Sequence, residues 1–174
     1  KLISSGDPGA SLSKVANDAG VSRQAVYLHF GSRAGLLMAV VRSMDDDAGI
    51  RAKLEKALEV EDPARAFRQF VRQWLGFAIE IQPIASALFA ARRDDSAAAD
   101  AWEDRARDLR AGFQAATRRL GDEGLLRDDL SPPSAANLAW AFCSIPVVEQ
   151  LVVDLEWSAD RVIRETTQAA WRAI

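Results

Sequence analysis

Between residues 11 and 37 the chain starts and stops helices faster than most folds tolerate, and that punctuation constrains it more than any other feature. Ser11 offers an N-cap for a short helix over residues 12–19, and Gly20 supplies a residue that can take positive φ and end it. Ser22 caps a second short helix from Arg23 to about Phe30, Gly31 ends that one, and Ser32 opens a third. The third helix carries Leu36, Leu37, Val40, Val41 and Met44 on one stripe, the mark of a face turned to a core. Ala16 is small enough for the second helix to cross close to the first, and Val15, Ala19, Val21 and Val26 are predicted to form a small core between them. Two short helices joined by Ala19-Gly20-Val21-Ser22 make the arrangement of a helix-turn-helix, whose second helix is free to enter a major groove.

The remainder also reads as helix. Alanine is abundant and β-branched runs of period two are nearly absent. The third helix is expected to run on to about Leu58, with a kink near Gly49. Asp62-Pro63 is a helix start, with a cap followed by proline at the first position. Phe67, Phe70, Val71, Trp74, Ala78 and Ile81 follow at helical spacing. Pro83 is expected to end or kink that helix and to open another bearing Ile84, Leu88 and Phe89. After a charged break over residues 92–95, Trp102, Ala106, Leu109, Phe113, Ala116 and Leu120 form a narrow apolar seam, closed by Gly121 and Gly124. Ser131-Pro132-Pro133 opens a helix over residues 134–155 that is apolar nearly all round, and Ser158 caps the last one. The expected fold is all-α: a three-helix helix-turn-helix head over residues 1–44, with its first helix truncated, and a larger helical body over residues 45–174.

Charge and composition narrow the function. The net charge is −3, which does not suit a protein that coats nucleic acid by bulk charge. Its distribution is uneven: residues 1–44 hold Lys1, Lys14, Arg23, Arg33 and Arg42 against Asp7 and Asp18, while the rest is net acidic. A basic end on an acidic body fits a localised nucleic-acid contact. Cys143 is the only cysteine and His29 the only histidine. No intrachain disulfide or multi-histidine metal site is therefore expected, and a reducing cytoplasm fits. No Ser/His/Asp array, phosphate-cradling glycine loop or metal spacing is found, so neither an enzyme nor a cofactor is expected. The most apolar stretch, residues 135–153, is broken by Asn137, Ser144, Pro146, Glu149 and Gln150, and no membrane span is expected. The opening Lys1-Leu2-Ile3-Ser4-Ser5-Gly6 lacks the apolar core of a secretory signal, and further residues are expected before it.

The run Ser22-Arg23-Gln24-Ala25-Val26-Tyr27-Leu28-His29-Phe30-Gly31-Ser32-Arg33-Ala34-Gly35-Leu36-Leu37 resembles the signature of the TetR family of bacterial transcriptional regulators. Tyr27, His29 and Phe30, then a small residue, a basic residue and paired leucines, fall where that family has them. Ser11-Leu12-Ser13-Lys14-Val15-Ala16 is similar too. Arg33 stands where the family usually has lysine, and the charge is kept. By chemistry, Arg23 can donate two bonds to guanine and Gln24 can pair with adenine. Tyr27 and His29 resemble positions that contact phosphates. Ser11, Ser13 and Lys14 lie near a helix start, a natural phosphate site, and Ser22 and Arg33 complete the DNA-binding set. Leu28 suits either a thymine methyl or packing within the head, and Phe30 suits the core.

The resemblance further implies an effector pocket in the body and a homodimer paired through the last two helices. Pocket candidates are Trp74, Phe77, Ile81, Phe89, Trp102, Phe113, Trp140, Phe142 and Cys143, with Gln114, Asn137 and Gln150 as polar anchors. Each of these aromatics suits a core equally well, and Cys143 suits a buried inert thiol better than a redox sensor. Dimer candidates are Val148, Leu151, Val152 and Leu155 with Val162, Thr166, Ala169 and Ala170. The expected function is a DNA-binding regulator, a repressor released from a palindromic operator by a small, largely apolar effector. The alternatives are an activator of the same fold and a helical protein-interaction module without DNA binding.

Overall fold

The computed structural model describes residues 16–174. Expectations that fall on residues 1–15, including Ser11, Ser13, Lys14, Val15 and most of the first short helix, lie outside it. Most of the described residues are helical, with no strand among them. After a helical turn at 16–18 come α1 (Arg23–Phe30), α2 (Arg33–Ala48), α3 (Ile50–Leu58), α4 (Pro63–Ala91), α5 (Ser96–Asp122), α6 (Pro132–Phe142) and α7 (Ile145–Glu149). A π-helical turn, Gln150–Asp154, follows α7, and α8 (Ala159–Ala173) closes the chain.

Two compact units result, one from Lys1–Asp47 with Ile81–Asp104 and the other from Ala48–Glu80 with Arg105–Ile174. The division falls inside α4 and inside α5. In the first unit Ala16, Val26, Ala34, Leu36, Leu37, Met38 and Val41 share a core with Ile84, Leu88 and Ala98. Phe30, Val40, Met44 and Trp102 pack on its margin. Ala19 and Val21, expected in the small core, are exposed instead. The turn that carries them is closed by backbone bonds, from Val21 N–H to the Ala16 carbonyl (3.0 Å) and from Gly20 N–H to that of Asn17 (3.1 Å). That closure holds the turn without burying its side chains.

In the second unit the buried face of α4 presents Phe67, Phe70, Val71, Leu75 and Ala78. Phe113, Ala116, Thr117 and Leu120 of α5 are buried too, and Phe70 meets Phe113 edge-on at 5.1 Å. The Thr117 hydroxyl lies within hydrogen-bond distance of the Phe113 and Pro132 carbonyls. Arg119 donates to the carbonyls of Leu58, Val60 and Glu61, which satisfies acceptors that the end of α3 leaves open. α6 packs against α8.

The helix boundaries follow their caps, with two corrections. Asp62 accepts from the N–H groups of Ala64 and Arg65, Asp95 from those of Ala97 and Ala98, and Ser158 from that of Arg161. Gly49 takes φ +58° and separates α2 from α3. Pro83 does not end its helix: α4 runs through it. Pro83 itself is exposed, and the buried stripe Ile81, Ile84, Ala85 and Leu88 continues past it, so one lost bond on the outer face is outweighed by burial on the inner.

The single helix expected over residues 134–155 is three pieces. Ser144 is extended (ψ 152°), and Pro146 cannot donate the N–H that a continuous helix would need. The break leaves the Cys143 carbonyl without a helical donor, and the Trp74 indole N–H supplies one at 2.8 Å. By length and apolarity alone, α4 and residues 132–154 could each span a bilayer, but α4 spends much of its apolar face on the cores just described.

A Cβ on Gly35 would stand 1.9 Å from the Phe30 carbonyl oxygen, and one on Gly112 would stand 2.5 Å from the Phe70 ring. The first neighbour is backbone and cannot yield. Gly35→Ala is expected to destabilise the chain by about 1–3 kcal/mol and to disturb the α1–α2 junction. Urea unfolding measures the first effect, and amide exchange of residues 23–30 the second.

Candidate nucleic-acid interface

α1 buries one side chain, Val26, at 5% exposure, with Phe30 half-buried beside it. Arg23, Gln24, Ala25, Tyr27, Leu28 and His29 are all exposed. By the 3.6-residue period, positions 23, 24, 27 and 28 form one contiguous outward face, and Val26 and Phe30 the inward one. The helix is held by its ends. The Ser22 Oγ accepts from Ala25 N–H at 3.0 Å. The Gly31 N–H bonds the Tyr27 carbonyl at 2.8 Å, and Gly31 itself takes φ +72°. The Ser32 Oγ then accepts from Gly35 N–H at 3.0 Å to start α2.

The outward face is partly organised. An Arg23 guanidinium nitrogen lies 3.5 Å from the Tyr27 hydroxyl, and its carbon lies 5.4 Å from the ring centroid. The pair sits one helical turn apart with both donor groups in solvent. His29 stacks edge-on against Phe30 at 4.5 Å, on the side of the helix away from that face. Arg33 is exposed at the start of α2. The structure therefore brings together Arg23, Gln24 and Tyr27 on one face. Ser22 and Arg33 lie at the two ends of the helix, His29 lies away from that face, and Ser11, Ser13 and Lys14 fall outside the described residues.

Leu28 is 81% exposed, which excludes the packing role left open for it and adds an apolar contact to the polar face. The expected DNA-binding set omits it. Its helical position beside Gln24 was the available signal.

The effector candidates are scattered by comparison. In the first unit Ile81 is buried, and Phe89 meets Trp102 edge-on at 4.7 Å. In the second, Trp74 lies 6.2 Å from Phe77 and reaches the Cys143 carbonyl. Phe77, Phe113 and Cys143 are buried, and Trp140 is half-buried with the Arg110 guanidinium near its ring. Gln114, Asn137, Phe142 and Gln150 are exposed. Among the dimer candidates Val148, Val162, Thr166 and Ala170 are buried within one chain, Leu151 and Val152 are half-buried, and Leu155 and Ala169 are exposed. Burial alone pushes the Cys143 thiol far above its ordinary range.

Exposed and capped at both ends, α1 has the form of the second helix of a helix-turn-helix. Residues 2–40 match the family described as bacterial regulatory proteins, tetR family. No protein of curated function matches the sequence. Solved structures share the fold over nearly the whole chain. One is the TetR-family regulator PfmR from Thermus thermophilus, at 24% identity and TM-score 0.72, covering 94% of this chain and 88% of that one. Another is the fatty acid degradation regulator FadR from Bacillus halodurans, at 15% identity and TM-score 0.73, covering 98% and 89%. A third is a TetR-family regulator from Rhodococcus sp., at 20% identity and TM-score 0.68, covering 96% and 89%. The likeness is thus to the tetR family over residues 2–40 by sequence, and to these solved regulators over nearly the whole chain by fold.

Two outcomes follow from this geometry. Ser22→Ala is expected to cost about 1 kcal/mol of stability by uncapping α1, read by thermal unfolding. Cys143 is expected to resist thiol reagents until the chain unfolds. Because its folded pKa is raised, its contribution to stability is complete below the unfolded thiol value, about pH 8.5, and declines above it. Cys143→Ser, compared with the parent in urea titrations at two pH values, checks the trend.

Proposed function

We propose that the chain is a repressor that binds a palindromic operator as a homodimer through α1 and leaves it when a small, largely apolar effector binds the body. The observation that carries the DNA contact is the outward face of α1, where Arg23, Gln24, Tyr27 and Leu28 are exposed on a helix whose ends are capped. Arg23 would read guanine and Gln24 adenine in the major groove, and Leu28 would meet a thymine methyl. Tyr27, His29 and Arg33, with Ser11, Ser13, Lys14 and Ser22, would fix the register through phosphates. In a dimer the two copies of α1 would read half-sites about 34–36 Å apart.

Dimerisation draws support from apolar side chains left in solvent along one stretch of the body: Leu138, Phe142, Val153 and Leu155, the last two at 55% and 57% exposure. Such side chains mark an interaction surface when they cluster. An apolar effector draws support from the aromatic content of the body. It also draws support from two solved structures of the same fold, described as a fatty acid degradation regulator and a fatty acid metabolism regulator. An effector that binds better to a dimer with its heads off register would draw population from the DNA-competent state. The functional division into a DNA-binding part over residues 1–44 and an effector and dimerisation part over residues 45–174 belongs to this proposal, as does a cytoplasmic location.

A mobility-shift assay with DNA from upstream of the chain's own gene tests the reading. A sequence-selective complex that weakens steeply with salt is expected. Arg23→Ala and Gln24→Ala are each expected to lower affinity about tenfold or more, with reduced discrimination at the contacted base. Tyr27→Phe is expected to weaken binding to all sequences alike. Equal affinity for unrelated DNA, or variants that bind as the parent does, would defeat it.

A further inference from the structure

The second unit carries a basic groove with no part in the reading above. Arg65, Arg68 and Arg72 recur at steps of three and four along α4, so they share one face of that helix. This face, with Gln69 and Gln73 of the same helix, borders a shallow open depression of about 370 Å³. Arg68 and Arg72 also line an adjoining depression of about 170 Å³, whose other wall is α8, with Arg164, Thr167, Gln168 and Trp171. No carboxylate is among the described residues lining either depression. Glu165, next to Arg164 on α8, pairs with it at 2.9 Å.

Two details distinguish this groove from an ordinary solvated cationic face. The Arg68 guanidinium lies 4.0 Å from the centroid of the Trp171 ring, so one cation is already oriented, which lowers the ordering cost when it binds. Thr167 is 3% exposed, and its Oγ1 is buried without a hydrogen-bond partner. A buried hydroxyl left open costs free energy unless something at the site completes it. Glu165 occupies Arg164, but no carboxylate lines the groove beside Arg65, Arg68 and Arg72, and their planar guanidinium donors, the glutamine amides and the uncompensated hydroxyl suit a multivalent oxyanion.

We propose that the α4 face bearing Arg65, Arg68 and Arg72, together with the depression that Arg68 and Arg72 form against residues 164–171 of α8, binds a phosphate-bearing small molecule, with the three arginines on its oxygens and Thr167 beside them. The site belongs to the second unit and α1 to the first, and it does not depend on the proposed repressor role.

Calorimetry on the full chain, at ionic strength matched with sodium chloride, tests it with inorganic pyrophosphate and with ADP. Saturable binding of either is expected. Tighter binding of ADP would assign the site to organic phosphates, and equal binding to the free anion. Arg65→Gln with Arg72→Gln is expected to weaken binding about tenfold or more while leaving the unliganded melting temperature unchanged. Thr167→Val, which keeps the side-chain shape, is expected to weaken binding less. No saturable heat beyond the chloride control, or undiminished binding by the double variant, would overturn the site. A mobility shift on the same preparation reads the DNA contact separately, so failure of one leaves the other standing.

Discussion

A helix of eight residues that buries one valine cannot hold itself in place by apolar area. Isolated helices of this length are marginal in water, and α1 has only Val26 and a half-buried Phe30 to anchor it. What fixes it is backbone chemistry at its ends: the Ser22 hydroxyl at the start, the Gly31 N–H at the finish, and Gly35, whose missing Cβ lets α2 begin against the Phe30 carbonyl. Because those groups spend no side chain from the middle of the helix, positions 23, 24, 27 and 28 remain available. The exposed face exists because the capping is so economical.

The body meets the opposite demand. Its helices carry more apolar surface than one face can bury, and polar backbone groups freed by breaks must be answered inside the protein. Trp74 answers the carbonyl exposed where α6 ends, and Arg119 answers three carbonyls where α3 ends. Both are long side chains reaching across the unit to satisfy acceptors that local geometry leaves open. The apolar surplus that remains in solvent, at Leu138, Phe142, Val153 and Leu155, lies around the same interrupted stretch that ends in the π-helical turn. Irregular backbone and unspent apolar surface therefore coincide.

Much of the fold could be read along the chain. Ser22, Asp62 and Ser158 cap as expected, Gly49 breaks α2 from α3, and the all-α class follows from periodicity. These are local events, decided by a side chain and the few backbone groups next to it. The outward set Arg23, Gln24 and Tyr27 was legible for the same reason, since helical phase follows directly from spacing. The fate of Pro83 was not, because a proline stops a helix only if burial around it fails to compensate. Nor was the division of residues 134–155 into three pieces, where the outcome rested on whether a distant tryptophan could complete Cys143.

The sequence by itself determined where helices start, which face of α1 carries donors, and that helix would dominate the described residues, since all of these depend on neighbours within a turn or two. Tertiary structure alone decided that Leu28 stands in solvent while Phe113 does not, and that Trp74 completes a carbonyl 69 positions away. It also decided that arginines from α4 face Thr167 and Trp171 of α8 across one groove. Burial and convergence are properties of surfaces brought together from distant parts of the chain, and no local pattern encodes which surfaces meet.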